Sequence, residues 1–210
     1  MLLRNEDEAR RFVRARCSEA SFGVLEAFSA KLGEASTRHN LVAASSFCSI
    51  WLRHIADSAQ LLDHVSRETG EWVDLGSGAG FPGIVIAVMR PEREVTLVES
   101  RRLRFQWLGD MISQLGLKKC RVIGQDVRKM EAIEAAVISA RAFAPLPRLI
   151  ALSARFSTNA TEWVLPKGRS AAQDIARLPK PLQTRFHVKQ SITDADAKIV
   201  VARGRIANGS

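Results

Sequence analysis

Apolar residues recur at helical spacing through the first part of the chain. Ala9, Phe12 and Val13, then Phe22, Leu25, Phe28 and Leu32, fall three to four positions apart over residues 5–33. That is the period of amphipathic helices, and Gly33 reads as their stop. "STRHNLVAASS" (36–46) is polar with a short apolar centre and reads as a loop. Helical periodicity returns over 46–66 through Ile50, Trp51, Ile55, Leu61, Leu62 and Val65. The pattern predicts an all-helical N-terminal extension over residues 1–68.

From residue 71 strand and helix patterns alternate. The predicted strands are "EWVDLG", "EVTLVES", "CRVIGQD", "AAVISARAF" and "TEWVLPKG". Between them lie helical patterns beginning at "GFPGIVIAVMRP", "RRLRFQWLGDMISQLG" and "LPRLIALSARF", with "SAAQDIARLP" following the fifth strand. Such alternation builds a parallel α/β sheet. The ending differs: "RFHVKQS" and "AKIVVARG" are joined only by "ITDAD". That link is too short for a parallel crossover, so the last pair is antiparallel. Seven strands, mostly parallel with an antiparallel edge strand, over residues 69–210 give the Rossmann-like layout of class I methyltransferases.

Composition narrows the setting. Of 210 residues, 46% are hydrophobic and 25% charged, ordinary values for a globular chain that needs no staples. Cys17, Cys48 and Cys120 lie far apart with no CxxC or His partner, which predicts reduced thiols in a cytoplasmic protein and no metal site. No apolar run approaches the roughly 20 residues of a membrane span. "MLLRNEDEARRF" turns charged too early for a signal peptide. The net charge of +9 favours a polyanionic partner, either nucleic acid or an anionic surface.

The chemistry concentrates at "VDLGSGAGFPG" (73–83), directly after the first predicted strand. In open α/β sheets a ligand sits at such a carboxyl end, where strand order reverses. From Gly78 the stretch reads Gly-x-Gly-x-x-Gly, a dinucleotide pattern. From Asp74 it reads Asp-x-Gly-x-Gly-x-Gly. Glu99, ending the second strand, suits the ribose of NAD(P) or of S-adenosylmethionine. Asp74 separates them, because its carboxylate repels a pyrophosphate and suits a methionyl ammonium. At an effective dielectric of about 20, a unit pair roughly 4 Å apart is worth about 4 kcal/mol.

The acceptor is narrowed by exclusion. "SARAFAPLP" (139–147) stands where amino-methylating adenine enzymes carry Asn/Asp-Pro-Pro-aromatic. None of the three cysteines lies where a cytosine-C5 nucleophile is needed. No general base is evident, which N7 of guanine permits: it has a free lone pair and no proton to lose.

"HNLV" (39–42), "RHIADS" (53–58), "VDLGSGAGFPGI" (73–84), "LVES" (97–100), "ISARAFAPL" (138–146) and "PKG" (166–168) lie in an order and spacing that resemble the bacterial small-subunit rRNA guanine-N7 methyltransferases, the RsmG or GidB family. The resemblance covers about residues 38–170. It implies S-adenosylmethionine as cofactor, 16S rRNA or a small-subunit particle as partner, and one guanine N7 of the 530 loop as acceptor. It implies that Gly76 and Phe81 line the cofactor, with Asp74, Ser77, Gly78, Gly80 and Glu99 around them. It further implies that Val127 and Arg128 flank the adenine and that Arg141 reaches cofactor or target, with Asp126 a candidate for the adenine amino group. Candidate catalytic residues are Arg141, His54 and Asp57; candidate RNA contacts are Asn40, Arg53, Ser58, Arg101, Arg102, Arg104 and Lys167. Arg53 and Asp57, like His54 and Ser58, are four apart on one helix face.

Three departures qualify the match. Ala140 stands where the family has serine before "RAF". Arg128 stands at an often acidic position, so its contact is expected through the backbone. Ala35-Ser36 replaces a Trp-Asn pair. Trp51, Trp72, Trp107 and Trp163 sit on apolar faces and belong to the core rather than to base stacking. A monomer is expected. The alternatives are a methyltransferase of a protein or small molecule, and an RNA-binding assembly factor that retains the cofactor.

Overall fold

The computed structural model describes residues 2–39, 41–42, 48–66 and 70–206, with the side chains of 37–39 outside that description. Helix α1 (Glu6–Arg14) starts where the Asn5 side chain accepts the Glu8 N–H at 2.9 Å. Acidic residues fill its first turn and arginines its last, the charge order that the helix dipole favours.

Helix α2 (Glu19–His39) runs straight through Gly33 and into the expected loop. Phe22, Leu25, Phe28, Leu32 and Ala35 are buried along one face, while a Cβ at Gly33 would meet nothing within 4 Å. A glycine on an open face weakens a helix by about 1 kcal/mol; the buried stripe outweighs that and carries the helix on.

The next helical stretch changes pitch twice. It is wide over Trp51–Ala56, α-helical over α3 (Asp57–Ala59) and tight over Gln60–His64. Its start is capped from a distance: the Glu6 carboxylate accepts the N–H groups of Trp51 (3.0 Å) and Leu52 (2.7 Å). A carboxylate there meets otherwise unpaired donors and the positive helix end.

The remaining elements are β1 (Trp72–Leu75), α4 (Gly83–Met89), β2 (Val95–Val98), α5 (Arg102–Gln114), β3 (Cys120–Ile123), β4 (Ala135–Ser139), α6 (Leu146–Ser153), β5 (Ser157–Lys167), α7 (Ala171–Ala176), α8 (Lys180–Gln183), β6 (His187–Gln190) and β7 (Lys198–Arg203). The strands form one sheet in the order β3-β2-β1-β4-β5-β7-β6. β7 is antiparallel to both neighbours and lies between β5 and β6. Strand order reverses between β1 and β4, which opens the crevice for a ligand. β4 stops at Ser139, short of the expected "RAF", because Ala142 turns to φ 52°, a left-handed conformation no strand holds.

Helices cover both faces of the sheet. One apolar cluster joins Phe28, Leu32, Trp51 and Ile55 to Ile84, Ile86 and Leu97. The other packs Leu146, Leu149 and Phe186 beneath Val73, Ile138 and Trp163. The N-terminal helices therefore share their core with the sheet. Trp51, Trp72 and Trp163 are buried. Trp107 is partly buried and donates to the Ala79 carbonyl at 3.0 Å. No helix among the described residues is long and apolar enough to cross a membrane.

Candidate active site

The loop after β1 is fixed from beneath. Asp74 is fully buried. Its Oδ1 accepts the Ser139 hydroxyl at 2.7 Å and its Oδ2 accepts the Gly83 N–H at 3.2 Å. The Trp72 indole N–H donates to Ser139 Oγ at 2.8 Å. Burial pushes the Asp74 carboxyl up. Its side chain lines neither cavity described below, and its hydrogen bonds brace β1, β4 and the start of α4. Ser77 is also buried and donates to the Asp74 carbonyl at 3.0 Å. A Cβ at Gly80 would press on Ile84 at 2.7 Å.

Gly76 is the loop glycine that reaches a cavity. Its φ is 71°, and a Cβ there would land on the Phe143 ring. The glycine loop and the "RAF" segment are thus packed to contact. The cavity above them measures about 300 Å³ and is lined among others by Gly76, Glu99, Arg104, Asp126, Val127 and Phe143. Glu99 accepts the Gly78 N–H at 3.1 Å and the Arg101 N–H at 2.8 Å. Asp126 caps the turn Val127–Lys129 and clasps the Arg128 guanidinium. Hydrogen bonds from the Arg128 side chain hold the Asp126 carboxyl well below the usual carboxylate range. A carboxylate at the end of β2, a second beyond β3, and apolar Val127 and Phe143 between them suit an adenosine: acceptors for hydroxyl and amino groups flank a surface for the base.

A second cavity, about 550 Å³, lies on the other side of Ala142, which borders both. Arg53, Asp57, Arg141, Lys167, Thr193 and Lys198 are among its walls. Arg141 is the hub. Its Nη1 contacts His54 Nδ1 at 3.1 Å, the Arg53 carbonyl at 3.3 Å and Asp57 Oδ2 at 3.6 Å. Its guanidinium sits 5.1 Å from the Phe81 ring centre. A guanidinium can only donate, so His54 Nδ1 accepts and the proton is on Nε2, which is buried without a partner among the described residues. Burial, then the charges of Arg141 and Arg53, lower the His54 pKa to about 4. Burial pushes the Asp57 carboxyl up, while Arg141, Thr193 and Gln60 pull it back.

The family described as rRNA small subunit methyltransferase G matches residues 23–201. The chain belongs to that family. It is 57% identical over 204 residues to the "Ribosomal RNA small subunit methyltransferase G" of Erythrobacter litoralis, covering 97% of this chain and 99% of that one. The protein of the same name from Novosphingobium aromaticivorans is 50% identical over 208 residues, covering 97% and 90%. Among solved structures, a "SAM dependent methyltransferase from Aquifex aeolicus" superposes with a TM-score of 0.55 at 15% identity, over 85% of this chain and 98% of that one. That likeness bears on the fold.

Several expected site residues lie outside the two cavity linings or are engaged within the protein. Phe81 is buried between Phe28 (5.4 Å) and His54 (5.0 Å, stacked), so its ring floors Arg141 and lines neither cavity. Ser58 is buried, with its hydroxyl donated to the His54 carbonyl at 2.6 Å. Lys167 is mostly buried and its Nζ donates to the Ala144 carbonyl at 2.9 Å beside Asp174 at 3.4 Å. That bond ties down the loop after β4. Arg53, Arg101 and Arg102 are exposed and Arg104 is partly so. Arg101 and Arg104 border the first cavity. Asn40 lies outside the described residues. The sequence reading missed Gln60, Ser191 and Thr193, which bind one another around Asp57. No spacing signal could reveal them, since Thr193 and Asp57 are 136 positions apart. No group of three or more His, Cys, Asp or Glu among the described residues is placed to hold a metal.

Proposed function

We propose that this chain transfers the methyl group of S-adenosylmethionine to N7 of one guanine in the 530 loop of 16S rRNA. The observation that carries the reading is the pair of cavities meeting at Ala142, one ending in Glu99 and Asp126, the other walled by Arg141 and Asp57. Glu99, Asp126, Val127 and Phe143 would hold the adenosine of the cofactor, whose sulfonium supplies an electrophilic methyl group.

The protein's own part is positioning. Guanine N7 attacks through its lone pair and releases no proton, so orientation and exclusion of water dominate. His54 fits that need: with a pKa of about 4 and Nδ1 engaged by Arg141, it stays neutral and steers the guanidinium rather than taking a proton. Arg141 spends Nη1 on His54, Arg53 and Asp57. Its other nitrogens serve as donors to the guanine O6 edge, the groups that recognise guanine elsewhere. The Asp57 carboxylate offsets the positive charge that N7 methylation leaves on the base. The net charge of +9 suits RNA phosphates. On this reading the enzyme works in the cytoplasm as a monomer without a metal.

Borohydride–aniline treatment cleaves RNA at N7-methylguanine and tests the assignment. Cleavage in the 530 loop is expected to vanish in a deletion strain and to return with this chain. Cleavage persisting without the protein would refute the reading.

A further inference from the structure

Beside the second cavity, Asp57 is held by a polar cluster of Gln60, Ser191 and Thr193, which the chemistry above does not use. Gln60 and Ser191 are both buried. Gln60 Nε2 donates to Asp57 Oδ1 at 2.8 Å and to Ser191 Oγ at 3.1 Å. Gln60 Oε1 accepts the Ile192 N–H at 2.9 Å. Thr193 Oγ1 donates to Asp57 Oδ1 at 2.7 Å and lies 2.9 Å from Ser191 Oγ. The same turn is held from outside, where the Leu3 N–H donates to the Ile192 carbonyl at 2.7 Å.

Both oxygens of Asp57 are therefore assigned. Oδ1 is gripped by Gln60 from its own helix and by Thr193 from the turn between β6 and β7. Oδ2 is left for Arg141. A carboxylate whose one oxygen is pinned cannot rotate about its terminal torsion without breaking two hydrogen bonds. We propose that Thr193 is a positioning residue: its hydroxyl locks the Asp57 carboxylate so that Oδ2 holds Arg141 at the target-base cavity, making methyl transfer depend on the β6–β7 turn. The proposal rests on the functional reading above, since it gives Arg141 its purpose.

The surroundings set the sign of a pH effect. Arg141, from the loop after β4, pairs with Asp57, and the other charged groups lining the same cavity are Arg53 from its own helix, Asp194 from the turn, and Lys167 and Lys198 from β5 and β7; His54, on the same helix, contacts Arg141. Burial raises the Asp57 pKa and the Thr193 hydrogen bond lowers it. Removing that donor raises it further, so ionisation is lost at a higher pH.

The test compares Thr193→Val, which keeps the shape, with Thr193→Ser, which keeps the hydroxyl. In Thr193→Val, kcat is expected to fall about ten-fold while KM for S-adenosylmethionine moves less than about two-fold, the mark of a displaced group rather than a damaged fold. The acid limb of its pH–rate profile moves to higher pH. Thr193→Ser is expected to stay within about two-fold of wild type. In an Asp57→Asn background the Thr193→Val loss should shrink to nothing, because coupled groups are not additive. An unchanged kcat in Thr193→Val, an equal loss in Thr193→Ser, or an undiminished loss in the Asp57→Asn background would each overturn the proposal. Where Thr193→Val fails to fold, Thr193→Ala enters the same cycle. Titration of Asp57 followed by carboxyl carbon NMR separates the two readings. Wild-type protein inert on rRNA sinks the assigned function, whereas an Asp57 titration unmoved by loss of the Thr193 hydroxyl sinks the positioning role.

Discussion

In the cavity above Gly76 both carboxylates accept backbone N–H groups, whereas the cavity beside Arg141 is assembled from side chains that converge from distant elements. In the first, Glu99 is steered by the N–H groups of Gly78 and Arg101, and Asp126 by that of Arg128. In the second, Arg141 leans on His54 and Asp57, and Asp57 on Gln60 and Thr193. The first arrangement is cheap: backbone donors exist at every residue and a strand end presents them at fixed intervals. The second buries charge, which is tolerated only when each group is paired and hydrogen-bonded. A half-satisfied network costs more than an apolar wall. The difference predicts that damage in one half leaves the other standing.

The largest effect is expected from Arg141→Met. It strips the partly buried Asp57 of its ion-pair partner and removes the donor at the target cavity. Turnover should fall by about 100-fold, which is about 2.7 kcal/mol of barrier. S-adenosylmethionine affinity by calorimetry should change by less than about three-fold, because Arg141 does not line the first cavity. An equal loss of cofactor affinity would break the separation of the halves.

Gly76→Ala should do the reverse. A left-handed position costs an L residue about 1–2 kcal/mol, and a Cβ on the Phe143 ring adds overpacking of about 1–3 kcal/mol. Cofactor affinity is expected to weaken by at least about ten-fold, or roughly 1.4 kcal/mol, with filter binding to rRNA unchanged. If RNA binding falls in step, Gly76 supports both halves.

The smallest effect is reserved for the exposed arginines. Replacing Arg101 and Arg102 by Ala should weaken rRNA binding a few-fold and lower the salt slope by about 1 for each phosphate no longer neutralised. Single-turnover methylation of bound RNA should remain. An unaltered salt slope would make these residues ordinary solvated charges.

Much of the first half was legible in the residues. The alternation from residue 71, the glycines at 76, 78 and 80 and the acid at 99 are local patterns, and local patterns follow from the fixed periods of helix and strand. The points that sequence left open have a common cause. Gly33 looked like a stop, yet the burial of Phe28, Leu32 and Ala35 continued the helix. Asp74 and Phe81 looked like cofactor contacts because they adjoin the loop. Adjacency in sequence does not say which way a side chain faces, and both turned into the core. "RAF" looked like strand, whereas Ala142 broke it to put Phe143 on Gly76 and Arg141 on Asp57.

The sequence by itself determined the α/β class, the candidate site at the end of β1, and the residue types proposed for its crevice, since each follows from short-range period and composition. Tertiary structure alone decided which carboxylates became braces, which arginine became the hub, and that Thr193 closes on Asp57. Those outcomes depend on burial and on contacts between segments far apart in the chain, and neither has a period that a sequence can display.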